Sequence, residues 1–192
     1  MNIDSITSNY VPLIQTAIMV LGLYSILLVK RQINESTHWN RVNAAYALLH
    51  SQCLHDRKKN MIDALEKIKI SLNHNHEISD EDVVTIFKDT PAYTATMDYL
   101  NYVERVCAGI SYEAFDESLL YEFYSESFML TYTQFREFIR KYRHEHNDDE
   151  EFFIELEKIS DKWKRDSEER MERSKYSLKK LKCRLGICPR NK

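Results

Sequence analysis

The sequence predicts an all-α protein: one N-terminal transmembrane helix followed by a cytoplasmic helical bundle of five or six helices. Three observations carry the prediction. Val11 to Val29 is a run of nineteen residues without a charge. Only three glycines and three prolines occur in 192 residues, which leaves few places for sharp turns and favours long helices over many strands. Downstream, apolar residues recur three and four positions apart, the spacing that lines one face of a helix.

The apolar run comes first. As a helix it covers roughly 28 Å, about the thickness of a bilayer's hydrocarbon core. Inside lipid its backbone groups must bond within the segment, so it has to be helical. Pro12 stands where a helix can begin, and Gly22 is tolerable in a membrane helix. A cleaved signal peptide wants basic residues before the apolar run, but Met1 to Tyr10 carries Asp4 and no Lys or Arg. A buried helix of a soluble core wants a polar stripe, and Gln15, Thr16 and Ser25 are scattered. The segment therefore reads as a retained anchor. Lys30 and Arg31 follow it, with Arg41 beyond, so the positive-inside rule puts residues 1–10 outside and the rest in the cytoplasm of a bacterium, anchored in its inner membrane. The expected organisation is 1–10 external, 11–30 transmembrane, 31–170 cytoplasmic bundle and 171–192 basic tail.

After the anchor, Trp39, Val42, Ala45, Tyr46, Leu49 and Cys53 form one apolar stripe. The anchor either continues into it as one rigid helix or bends around Asn34 to Thr37. A second helix is expected from Lys58 to about Leu72, with Ile62, Leu65, Ile68 and Leu72 inward. Asn73 to Glu77 reads as a polar loop, in which His74 and His76 raise the idea of a metal but are more simply solvated. Ser79 and Asp82 resemble a capping box for a short helix ending near Lys88. Thr90 and Pro91 suit the start of the next, which carries Met97, Leu100, Val103, Val106 and Cys107 to a stop at Gly109. Asp116 caps a helix holding Leu119, Leu120 and Phe123. A further one is expected from about Glu126 to His146, with Phe128, Leu130, Tyr132, Phe135, Phe138, Ile139 and Tyr142 apolar. Asn147 and Asp148 are expected to start the last, whose packing face is Phe152, Phe153, Leu156, Ile159 and Trp163.

A net charge of −3 does not announce a nucleic-acid partner. The four cysteines are expected as reduced thiols, since Cys183 and Cys188 lack the two-pair spacing of a zinc site. No cofactor or metal is expected, and no glycine-rich phosphate loop or nucleophile elbow is present.

Two groups of residues invite a function. Arg140 and His146 satisfy an Arg-x5-His spacing, with Arg136, Arg143 and His144 close by. Such a cluster can hold a phosphate while a histidine moves a proton, as metal-independent RNA cleavage requires. Arg31 with His38 gives a similar Arg-x6-His spacing, and cations are favoured at a helix C-terminus by the dipole alone. The second group is cationic: Lys30 and Arg31 after the anchor, and Lys175, Lys179, Lys180, Lys182 and Arg184 in a tail with eight basic and no acidic residues from Arg173 to Lys192. Leu178, Leu181 and Leu185 would share one face there. The tail suits an anionic leaflet; the same charges can hold RNA, and a solvated tail is the plainer alternative.

Leu100 to Ile110 (LNYVERVCAGI), Tyr121, Phe135 to Arg143 (FREFIRKYR) and Phe152 to Trp163 (FFIELEKISDKW) resemble a bacterial domain-of-unknown-function family with one N-terminal span and a helical cytoplasmic domain. That resemblance implies architecture and brings no activity. Arg140 and His146 behind an anchor also resemble, more weakly, the membrane-anchored divergent HEPN-like accessory proteins of type VI CRISPR loci. This second resemblance implies a pore-forming or effector-assisting role in anti-phage defence, or, in the alternative, an HEPN-like ribonuclease using Arg140 and His146. The reading adopted is non-enzymatic: a membrane-anchored scaffold or accessory protein, its partners the bilayer, an unidentified cytoplasmic protein and other copies of itself.

Overall fold

The computed structural model describes residues 3–72 and 77–184, with side chains described over 15–72 and 77–177. His74 and His76 therefore lie outside the described residues. Six helices and no strand are present among those described: α1 (Ile3–His50), α2 (Cys53–Lys67), α3 (Asp80–Lys88), α4 (Thr90–Ser111), α5 (Glu117–Glu145) and α6 (Ile154–Arg184). The chain is all-helical, as its scarcity of glycine and proline predicts.

α1 has 48 residues without a break, so it covers about 72 Å of helix and continues unbroken through Asn34 to Thr37. Its C-terminal quarter docks on the bundle through Ala45, fully buried, and half-buried Leu48 and Leu49. The stripe expected there is narrower than its apolar residues suggested, because Trp39 and Tyr46 stay 63% and 47% exposed. Polar ties do part of the docking. Arg41 pairs with Glu113, and the Asp116 amide donates to the Arg41 carbonyl at 3.3 Å.

α2 begins five residues before the expected Lys58 and stops at Lys67. It stops there because Lys69 takes a left-handed φ of 65°, and the Lys69 and Ile70 amides fold back onto the carbonyls of Glu66 and Leu65. α3 starts as expected, with Ser79 and Asp82 forming a reciprocal capping box. α4 is capped one residue earlier than expected: the Asp89 carboxylate accepts from the Ala92 amide at 2.8 Å, and Thr90 and Pro91 are inside the helix.

α4 is the centre of the bundle. It packs against α2, α3 and α6, and α5 packs against α6 and α3. Its buried residues, Ala92, Thr96, Tyr99, Leu100, Val103, Val106, Cys107 and Ile110, repeat at three and four. The Tyr99 hydroxyl meets Thr131 of α5 at 2.8 Å, which satisfies two buried polar groups at once. Gly109 is not the helix stop. A side-chain carbon there would lie 2.3 Å from the Phe115 ring, so glycine lets that ring close over the end of α4. The left-handed turn falls instead on Glu113, at φ 56°.

α5 is one helix of 29 residues, not two, with its cap at Asp116 as expected. Its buried face is Leu120, Phe128, Thr131, Gln134, Phe135, Phe138 and Ile139, and Phe123 points outward at 64% exposure. Asn147 and Asp148 do not start the last helix. Both are left-handed, at φ 63° and 57°, and carry the chain out of α5 through a turn to a third left-handed residue, buried Phe153. α6 begins only then. Its Trp163 is fully buried, stacked on Phe128 at 5.8 Å and edge-on to Tyr121 at 5.5 Å.

Candidate functional site

Two places in this fold hold the residues singled out by sequence. The first is a cleft of about 350 Å³ between α5, the following loop and α6, lined by Tyr132, Arg136, Ile139, Arg140, Arg143, Asp148, Glu150 and Glu157. It contains three arginines of the cluster but not His146.

Arg140 is 67% exposed and its guanidinium bonds Glu137 at 2.7 Å and Asp80 of α3 at 3.3 Å. Those carboxylates, Glu137 above all, hold its pKa above the ordinary arginine value. Arg136 pairs likewise with Glu77 at 3.0 Å. His146 lies on the other side of the helix end, where Nδ1 donates to the Tyr142 carbonyl at 2.8 Å. Its ring stacks on Tyr142 at 4.2 Å and meets Phe152 edge-on at 5.4 Å. The six-residue spacing puts the two side chains about 120° apart around the axis, and their partners are different groups. A phosphate held at Arg140 would compete with two carboxylates, and the histidine's Nδ1 is bonded to the helix end away from Arg140.

Arg143, three residues from Arg140, is only 18% exposed and does structural work. Its Nε donates to the Phe152 carbonyl at 2.9 Å and its terminal nitrogen to Glu157 at 2.8 Å, tying the loop and α6 back to α5. Burial tends to raise the Glu157 pKa, but the bonds from Arg143 and Tyr132 outweigh it and hold the carboxyl below its ordinary range. Tyr132 is pushed up in turn by burial and by Glu157.

Glu104 of α4 completes this end of the bundle; it lies in the Leu100 to Ile110 stretch that carries the family resemblance, but its spacing does not mark it as a cap. Its two oxygens accept from the amides of Glu155 and Leu156, at 3.0 and 2.7 Å. These are amides of the first turn of α6, whose preceding residue, Phe153, has no side chain able to cap. A cap from fifty residues away has replaced the local one. Burial raises the Glu104 pKa, opposed by those two amide bonds. The signal available in the sequence was negative: a helix start with no capping residue in front of it.

The second place is the free part of α1. Ile18, Met19, Val20, Leu21, Leu23, Tyr24, Ile26 and Leu27 are each between 59% and 66% exposed. These residues fill eight of the ten positions from Ile18 to Leu27, so every side of the helix carries apolar residues and none is covered. The apolar stretch is entirely unburied, and this helix is long and apolar enough to cross a membrane. A core helix would be covered by its own fold; this one is not. Arg31 follows, 79% exposed and bonded to Glu35 at 2.9 Å, beside exposed Lys30. Lys175 is likewise exposed, on α6 beyond Trp163. Lys179, Lys180, Lys182 and Arg184 lie on the last part of α6, with side chains outside the described set. No group of three metal-ligating side chains occurs among the described residues.

No curated protein and no solved structure matches this chain. A model for a domain of unknown function (DUF4760) matches residues 12–163, from the apolar part of α1 to the tryptophan that closes the core, and the chain belongs to that family.

Proposed function

We propose that this protein is a single-span, membrane-anchored helical module that acts by assembly and not by catalysis. One observation carries the reading. A charge-free helical segment, apolar and uncovered on every side, runs without a break into a bundle whose core does not need it. On this reading α1 crosses a bacterial inner membrane with residues 1–10 outside, and the bundle stands on the cytoplasmic side, where the basic residues after the span place it. From Val29 to Arg41 is about 18 Å of exposed helix, enough to clear the headgroup layer before the bundle begins. The bundle is a scaffold for a cytoplasmic protein or for neighbouring copies, whose spans would lie side by side in the bilayer. A role in anti-phage defence belongs to the same proposal, and genes of a defence cluster are expected beside this one.

The test is fractionation of the full-length protein, followed by protease treatment of sealed inverted vesicles and crosslinking in the membrane. The expected result is a chain that needs detergent for release, a bundle cut only from the cytoplasmic face, and crosslinked dimers or higher species. Recovery in the soluble fraction without detergent would end the anchor reading, and a strict monomer would end assembly through the span.

A further inference from the structure

We infer that the distal half of α6 is a second membrane contact, a helix that returns to the leaflet from which α1 emerges and binds anionic lipid headgroups there. This rests on the anchor reading above and adds to it a specific surface and lipid chemistry. Helix direction is the first argument. α1 runs parallel to α5: its Arg41 lies at the start of α5, beside Asp116, and its Leu49 and His50 share a cleft with Phe123, Tyr124 and Ser127. α6 runs antiparallel to α5. Arg143 meets Glu157, Phe128 meets Ser160, Tyr121 meets Trp163, and then Arg170 lies over the Tyr121 ring at 4.3 Å and pairs with Glu122 at 3.3 Å. Going outward, both α1 and α6 therefore leave the bundle from the same end.

The lengths agree. From Arg41 back to Val29, where the apolar segment ends, is about 18 Å of helix; from Arg170 to Arg184 is about 21 Å. Arg170 pairs with Glu122, about 9 Å of helix inside the level of Asp116 and Arg41, so α6 extends about 12 Å beyond that level, to within about a turn of Arg31.

Charge changes along α6 in the same sense. Beside the bundle it is mixed, with Asp166, Glu168, Glu169 and Glu172 among its basic residues; from Arg173 onward it is basic without an acid. Residues 171–177 are exposed throughout, including Met171 and Tyr176 at 54% and 72%. A cationic helix with interspersed apolar residues, delivered to the level of the headgroups, is complementary to an anionic leaflet.

The experiment uses the full chain in lipid nanodiscs, either of phosphatidylcholine alone or of phosphatidylcholine with phosphatidylglycerol, and follows amide hydrogen exchange by mass spectrometry. Exchange over residues 171–184 is expected to slow about tenfold in the anionic discs, with α4 unchanged, and the slowing is expected to vanish at 1 M salt. The variant K175E/K179E/K180E/K182E is expected to show the same fast exchange in both discs. Equal exchange of the natural chain in the two discs would overturn the inference while leaving the anchor intact. So would a slowing produced by added RNA in phosphatidylcholine discs and absent with phosphatidylglycerol, which would assign the tail to nucleic acid. A chain that stays dissolved without disc or detergent would instead remove the anchor reading itself.

Discussion

At the end of the bundle where α5 turns into α6, Arg143, Glu157, Tyr132 and Glu104 bond one another or the backbone, and the left-handed turn between the helices is held from two sides. At the opposite end, α1 and α6 leave the core carrying an uncovered apolar surface and basic residues exposed to solvent. The closed end spends its polar groups on the fold. The open end leaves its surface for something outside the chain. Polar residues therefore divide by what they face, and residue type alone does not assign them: Arg143 and Arg140 sit three positions apart on one helix, the first a strut and the second a solvent-facing ion pair.

The largest way to break this contrast is at the open end. Placing charges in the anchor, as Leu21→Arg with Leu27→Arg, costs about 3 kcal/mol for each arginine near the middle of a bilayer. The protein is expected to move from the membrane pellet to the soluble fraction while the bundle keeps its melting temperature. A fall in melting temperature comparable to that of a core variant would mean that the free part of α1 belongs to the fold after all.

Next in size is the core near which the two ends meet. Trp163→Ala removes a fully buried ring and the indole bond to Glu117 at 3.0 Å, and is expected to cost about 3–5 kcal/mol in denaturant melts. Little change there would show that α6 is not seated as described.

At the closed end, Glu104→Ala leaves the first amides of α6 without their acceptor. A loss of about 1–3 kcal/mol is expected, with faster exchange at Glu155 and Leu156. Unchanged exchange at those two amides would refute the long-range cap.

Smaller still is a pH effect with a definite sign. The Glu157 pKa is lowered from 4.5 in the fold, so its contribution is complete above that value and lost as pH falls through the folded one. Glu104 is raised from 4.5, so its contribution is complete below that value and lost as pH rises through the folded one. In melts across about pH 3 to 6, Glu157→Gln is expected to flatten the acid-side loss of stability. A profile identical to that of the natural chain would mean that the Arg143–Glu157 pair does not govern this end.

The smallest expected effect is that of Arg140→Ala with His146→Ala. Both side chains are exposed, and ion pairs at the surface contribute little. The double variant is expected to melt within a degree or two of the natural chain. It is also expected to match it when incubated with labelled RNA, cleaving none. Cleavage by the natural chain alone would restore the ribonuclease reading.

Local signals were legible before any coordinates. The capping box at Ser79, the cap at Asp116 and the packing face of α4 each depend on residues within a turn or two of one another. The errors share a cause. Asn147, Asp148 and the acids after them look like a helix start, yet Asn147 and Asp148 are left-handed and form a turn, and α6 starts later, where Glu104 of another helix meets the amides of Glu155 and Leu156. Gly109 looks like a stop, but its missing side chain makes room for Phe115.

That α1 is long and apolar enough to cross a membrane was determined by the sequence alone, since transfer of a segment from water to lipid is nearly a sum over its residues and needs no partner in space. What Arg140, Arg143, His146 and Glu104 do was decided only by the tertiary structure. The strength of an ion pair or a cap falls off within a few ångströms, and distances between residues far apart in the chain exist only once the helices have packed. The direction of α6 belongs to the same class: its charges can be read in one dimension, but the end of the bundle to which they are delivered cannot.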